Sequence, residues 1–196
     1  MKRLGFVFIA VLTALIFTGC PGTGSDPTPD PVTYALGDPG PAGGWIFYID
    51  EADEFSWDYL EAAPSDQSAP QVWIEGGETQ TTENGNTLTA IGTGQANSDA
   101  IIAQTDHTGS AAKICLDYDD GTYSDWFLPS QYELNEMYTN LHDQVPAVGG
   151  FSNDDYGYWS SSEGSANSAR VQYFYNGEQN VDVKSYALRV RAVRAF

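Results

Sequence analysis

The C-terminal part of the chain is broken into four short runs of aromatic and β-branched residues, 158–162, 169–175, 181–183 and 188–196, with Asn176-Gly177 between the second and third. Runs of this length and content read as strands. An Asn-Gly pair between two of them predicts a hairpin closed by a type I′ turn, with positive φ at both central residues. The chain must therefore end in an antiparallel meander. Upstream, Gly43-Gly44 opens onto Trp45-Ile46-Phe47-Tyr48-Ile49, residues 57–63 stop at Pro64, and 71–74 form a third apolar run. These are three early strands. Residues 76–93 are Gly, Thr, Asn and Glu with few apolar side chains, which predicts a long surface loop.

Between the two sets of strands the periodicity becomes helical. Asn97-Ser98-Asp99 ahead of Ala100, Ile101, Ile102 and Ala103 predicts a cap and first turn, and residues 110–118 a second short helix. Ser130-Gln131-Tyr132-Glu133 after Pro129 is a capping box, and Leu134, Met137, Tyr138 and Leu141 follow on one helical face. Early strands, central helices and a late meander describe an α+β domain with antiparallel sheets and two or three short helices, not a βαβ series.

The N-terminus is of another kind. Met1, Lys2 and Arg3 precede an apolar run of 14 residues, 4–17, followed by Thr18-Gly19-Cys20. The run is shorter than the roughly 18 residues of a permanent span, so 1–19 reads as a cleaved signal peptide. Small residues directly before a cysteine resemble the bacterial lipobox, in which the cysteine is acylated and becomes the new N-terminus. Phe17 departs from the aliphatic residue usual there, and ordinary secretory cleavage is the alternative. Residues 20–33 form a Pro-, Gly- and Asp-rich spacer without the apolar surface to order itself. What remains, 34–196, suits one domain with a sizeable core. The expected place is outside the cytoplasm, on an outer membrane, a cell surface or in the periplasm, with the membrane as a partner through the lipid on Cys20.

Removal of the signal peptide leaves six basic residues against 27 acidic ones. A field of that sign repels phosphate backbones, so nucleic acid is not an expected partner. Arg170, Lys184, Arg189, Arg191 and Arg194 make the C-terminal segment locally basic. With Cys20 acylated, Cys115 has no internal disulfide partner. Its neighbours Ala111, Ala112, Ile114 and Leu116 predict a buried, inert thiol.

Several motifs taken in order resemble one family: Gly37-Asp38-Pro39-Gly40-Pro41-Ala42-Gly43-Gly44-Trp45-Ile46-Phe47-Tyr48, Tyr59-Leu60-Glu61-Ala62-Ala63-Pro64, Ile91-Gly92-Thr93-Gly94, Tyr123-Ser124-Asp125-Trp126-Phe127-Leu128-Pro129-Ser130 with Glu133-Leu134, Tyr158-Trp159-Ser160-Ser161-Ser162-Glu163, and Arg189-Val190-Arg191-Ala192-Val193-Arg194. The family is the domain named after the C-terminal part of the Legionella collagen-like protein. The resemblance implies a C-type-lectin-like fold, more distantly similar to the formylglycine-generating enzymes, and a habit of adhesion to carbohydrate or protein ligands. It names no ligand.

Recognition residues are sought in the late strands. Tyr156, Tyr158, Tyr173 and Tyr175, with Asn167, Arg170, Gln172, Asn176 and Asn180, offer rings that stack on sugars or anchor a protein beside amides that donate and accept. Strands favour tyrosine in any case, and Tyr173 and Tyr175 on one core-facing side would turn Phe174 outward. Asp117, Asp119 and Asp120 before Gly121, and Asp154 and Asp155, are oxygen-rich enough for calcium, but they miss the EF-hand spacing. Solvated turn acids are the favoured reading, and no cofactor is expected. His107 and His142 lack a zinc spacing, and no Gly-x-Ser-x-Gly elbow is present. A non-catalytic domain is expected. Ser160, Ser161 and Ser162 read as hydrogen-bonding residues of a buried strand, and Arg189, Arg191 and Arg194 as members of structural ion pairs, with an anion site the alternative.

Overall fold

The apolar run after Gly44 must pair its backbone and bury its side chains, and it pairs with residues 59–62, which pair in turn with the end of the chain. The computed structural model describes residues 32–196 apart from Ser68 and Glu78. Residues 1–31, which hold the expected signal peptide, Cys20 and most of the expected spacer, lie outside the described residues. Strand β1 (Trp45–Ile49) pairs antiparallel with β2 (Tyr59–Ala62), and β2 in turn with β8 (Val193–Ala195). A two-residue pair joins β3 (Gln71–Val72) to β7 (Ala187–Leu188). The meander is β4 (Tyr158–Ser165), β5 (Ser168–Gln172) and β6 (Gln179–Val183), antiparallel and in chain order. Helices α1 (Gly94–Ile102), α2 (Ala111–Leu116) and α3 (Gln131–Met137) lie between the strand sets. The unit Thr33–Phe196 is thus mixed α+β, with antiparallel sheets and three short helices.

Two apolar clusters fill it. One gathers Trp73, Trp126, Trp159, Ile101, Leu128 and Cys115, the other Phe47, Leu60, Leu134, Met137, Leu141 and Phe174. A buried indole needs an acceptor. Trp73 donates to the Ser160 carbonyl at 2.8 Å, Trp159 to that of Gln71 at 2.9 Å and Trp126 to that of Tyr123 at 3.1 Å. Cys115 is buried, and its surroundings push the thiol up, away from the reactive thiolate.

Two glycines of the opening motif are required by close approach. The Glu61 carboxylate is buried beneath the turn before β1, where it accepts the N–H groups of Ala42 (3.1 Å) and Gly44 (2.8 Å). A Cβ at Gly40 would collide with that carboxylate, and one at Gly44 with the Ala62 carbonyl.

Three local expectations are corrected. Helix α1 starts at Gly94 behind Thr93, so Asn97-Ser98-Asp99 lie inside it and cap nothing. The reason is tertiary: Glu133, across the fold, accepts the Gly92 and Gly94 N–H groups and takes over the helix start. Asn97 is freed to clasp Leu88, exchanging bonds of 2.7 Å with both its N–H and its carbonyl. The β5–β6 hairpin exists but is not closed by a type I′ turn. Gly177 has φ 75° while Asn176 stays out of the left-handed region, and the Gly177 N–H reaches back to Tyr173 O at 2.8 Å. This longer turn drives Phe174 into the core against Tyr138, Phe151 and Tyr158, so Phe174 points inward, not outward. The capping box stands as expected, although α3 ends at Met137 and continues as a wider π turn, Tyr138–His142.

Candidate functional site

The register of the meander sorts the recognition candidates. On β5, Ala169 and Val171 face the core, and Ser168, Arg170 and Gln172 face the other way, opposite Val183, Val181 and Gln179 of β6. Gln172 is nonetheless fully buried, because the end of α3 covers it: its amide donates to Gly177 O (2.9 Å) and Asn135 Oδ1 (3.3 Å) and accepts from Gln179 (2.8 Å). Tyr158 is also fully buried. Its hydroxyl accepts from the Ser152 N–H at 2.9 Å and donates to Asp66 at 3.2 Å, and burial beside that carboxylate pushes it up to about 12. Neither residue has surface to offer a ligand, so both leave the candidate set.

The rest lie along β6 and at the two ends of the meander. Tyr156 and Tyr175 are about half exposed, at 52% and 47%. Tyr173 is half-buried between them: its ring lies 5.9 Å from that of Tyr175, and its hydroxyl donates to Asp182 at 2.6 Å. A Cβ on Gly157 would touch the Tyr173 ring at 3.3 Å, so glycine there lets the Tyr156 segment lie against it. Asn167, Asn176 and Asn180 are exposed. Each engages its side chain locally, Asn176 Oδ1 accepting the Glu178 N–H and Asn180 Oδ1 the Val181 N–H. Tyr186, exposed in the turn after β6 at the opposite end of the meander, was missed. An isolated tyrosine beside a serine in a loop gives no pattern to find it by.

The basic C-terminal segment is not an open anion site. Arg189 binds Asp154 and Asp66, Arg191 binds Asp66 at 2.8 Å over the Phe151 ring, and Arg194 binds Asp125 at 2.9 Å and Glu61 at 3.4 Å over the Tyr123 ring. Lys184 is wholly buried and pairs with Glu163 at 2.5 Å. Among the described residues Arg170 alone of the basic side chains makes no ion pair, and its Nε is buried without an acceptor.

The acidic loops are turns. Asp117 pairs with Lys113 at 2.7 Å, Asp119 Oδ1 accepts the Gly121 N–H, and Asp120 Oδ1 accepts those of Thr122 and Tyr123. Asp154 is held by Arg189, which lowers its carboxyl, and Asp155 is exposed beside it. Among the described residues no three His, Cys, Asp or Glu side chains converge on a metal-sized site. The three serines stitch β4 to its neighbours: Ser160 donates to Arg170 O, Ser161 accepts from Asn97, and Ser162 donates to Leu88 O.

One pairing was not anticipated. His107 Nε2 lies 2.9 Å from Ser110 Oγ, the spacing of a base and its nucleophile. Ser110, however, is 1% exposed and caps α2 by accepting the Lys113 N–H at 3.0 Å. No substrate carbonyl can reach it.

Family models and curated proteins give no match to this chain. Among the described residues no helix is long and apolar enough to cross a membrane.

Proposed function

We propose that the chain is an exported lipoprotein, held to a membrane through Cys20, whose C-type-lectin-like domain recognises a carbohydrate or protein ligand outside the cytoplasm without chemical turnover. The family resemblance rests on the motifs quoted above, and several of them do fold-determining work that a shared architecture requires. Glycines 40 and 44 close over Glu61, Trp126 and Trp159 fill the core, and Arg191 and Arg194 tie the last strand region to Asp66 and Asp125.

The observation that carries the reading is the exposure of Tyr156 and Tyr175 at one end of a meander whose backbone is fixed by its sheet and by buried side chains. Solvent-facing rings on a rigid support lose little entropy on contact, which is what stacking on sugars or anchoring a protein needs. Detergent-solubilised protein applied to an array of glycans and matrix proteins is expected to bind selectively. Tyr156→Ala and Tyr175→Ala should each weaken binding by about tenfold, the effect of losing about 1.4 kcal/mol at an aromatic anchor. Unchanged binding in both variants would remove the tyrosine surface from the reading. An array without a ligand would favour a structural role in envelope assembly.

The anchor has its own test. Protein from the producing cell is expected to partition into the detergent phase, and Cys20→Ser to move it to the aqueous phase. Aqueous partition of the unaltered protein would mean ordinary secretory cleavage.

A further inference from the structure

A groove of about 270 Å³ lies beside the β2–β8 pair, outside the meander. Its apolar lining is Trp57, Phe127 and Ala195, with Gly92 beside them. Gln95, which is exposed, and Asp125, whose side chain is 51% exposed, supply its polar edge. The volume is below that of a drug-sized site and suits one long side chain.

The groove is built before anything enters it. The Phe55 N–H donates to Asp50 Oδ2 at 2.8 Å, and the Phe55 ring stacks on Trp57 with centroids 4.3 Å apart and planes at 3°. Tyr48 meets the same indole edge-on at 6.0 Å. Gly92 has φ 81°, and a Cβ there would collide with the Phe55 ring, so glycine lets that loop close against it. With Phe55 over one face, Trp57 turns the rest of its ring to the groove.

The charge around it is of one sign. Five of the nine residues 50–58 are acids, Asp50, Glu51, Asp53, Glu54 and Asp58, and among the described residues none of them pairs with Lys or Arg. Burial and then the charges of Asp50, Glu54 and Glu136 raise the Tyr48 hydroxyl, which places those acids around the ring that abuts Trp57. Arg194 holds both Asp125 oxygens, at 2.9 and 3.0 Å, but is only 4% exposed and presents little charge to the groove.

These surroundings select their occupant. An anion is repelled, and a neutral polar group finds few partners on a mostly apolar lining. A cation on an aliphatic stem satisfies every part: the stem covers apolar surface, the head meets the carboxylate, and an indole face attracts positive charge. A second copy has no such group to offer, since Arg170 alone of its described bases is unpaired and two acidic copies repel each other. We infer that this groove is a docking site for a basic segment of a partner protein, one Lys or Arg of which lays its stem along Trp57 and Phe127 and sets its charged head at Asp125. The groove shares no lining residue with the tyrosine surface and does not depend on it.

Calorimetric titration of the full-length protein in a zwitterionic detergent and dilute buffer tests this. Acetylated tetra-arginine is the probe, tetracitrulline its neutral isostere and tetraglutamate the anionic control. Tetra-arginine is expected to bind with a Kd below about 1 mM, and both controls at least about tenfold more weakly. Gln95→Arg puts a positive charge at the groove from an exposed position, and should weaken binding by about tenfold or more with the Tm unchanged. Asn167→Arg puts the same charge in the exposed β4–β5 turn, and should weaken it by less than about twofold. Trp57→Leu keeps an apolar wall but removes the ring, and should weaken binding by about fivefold. No binding of tetra-arginine at about 1 mM overturns the inference. Equal loss in the two arginine variants overturns it too, because the peptide then senses only the overall field. So does tetracitrulline binding as tightly as tetra-arginine, which would make the groove an apolar site indifferent to charge.

Discussion

Lys184→Met is expected to lower the unfolding free energy by about 3–5 kcal/mol, the cost of leaving one partner of a buried ion pair alone. Both side chains are inaccessible, at 0% for Lys184 and 5% for Glu163. The ammonium group also satisfies the carbonyls of Thr82 and Ala166 and sits 4.9 Å from the centre of the Trp73 ring. Methionine fills the volume along that ring but leaves the Glu163 carboxylate with backbone donors only. Denaturant titration measures the loss, and adding Glu163→Gln to the same chain should return most of it, since two neutral groups incur no charge-burial penalty. Hydrogen exchange gives a local readout: the amides of Asn84 and Gly85, which donate to Glu163, should exchange faster in the single variant. A cost below about 1 kcal/mol would mean that water reaches the pair.

Glu133 should reveal itself through pH. Its carboxyl is wholly buried and faces no cation, and burial raises it from 4.5 to about 7 against the pull of the Ser130, Gly94 and Gly92 N–H groups. The native state therefore holds its proton more tightly than the unfolded chain. The group's contribution is fully present below about 4.5 and is lost as pH rises to about 7, a change of roughly 3 kcal/mol. Glu133→Gln removes the titration, so the stability gap between wild type and variant should shrink by about that amount between pH 4.5 and 7. A gap that widens with pH would show the three donors outweighing burial and the carboxylate ionised throughout. Glu133→Ala is the severer change, at about 3–5 kcal/mol, because it orphans donors at the start of two helices at once.

That double duty marks where sequence reasoning stops. Ser130 and Glu133 announce a capping box by their spacing alone, and the box is there. Nothing in the spacing says that the same carboxylate also begins α1, some 39 residues earlier in the chain. With that hidden, Asn97-Ser98-Asp99 is the best available cap, and the helix start is placed too late. The β5–β6 hairpin fails in a similar way. Asn176-Gly177 signals a turn through local backbone preference, but the choice between turn types is made by whether Phe174 enters the core, a question of tertiary volume. Alternation could rank Tyr173 and Tyr175 together because strand period is local. It could not foresee that α3 would cover Gln172, or that Tyr158 would be walled in by Phe151 and Phe174. The C-terminal arginines were legible as ion-pair members because an acidic chain supplies partners at almost any position. The anchoring of residues 82–85 was not, since a polar loop held in place by a distant buried pair looks on paper like any other polar loop.

The ion pairs also govern how this molecule responds to its surrounding electrolyte. Nearly every described cation is already neutralised by a carboxylate of its own chain, so the charge that reaches past the surface is almost entirely that of unmatched acids. In dilute buffer those acids repel one another and repel a second copy. At physiological ionic strength, where fields fade within about 8 Å, that repulsion is largely screened. High ionic strength thus favours both the compact state and the close approach of a second copy, while dilute solution holds copies apart.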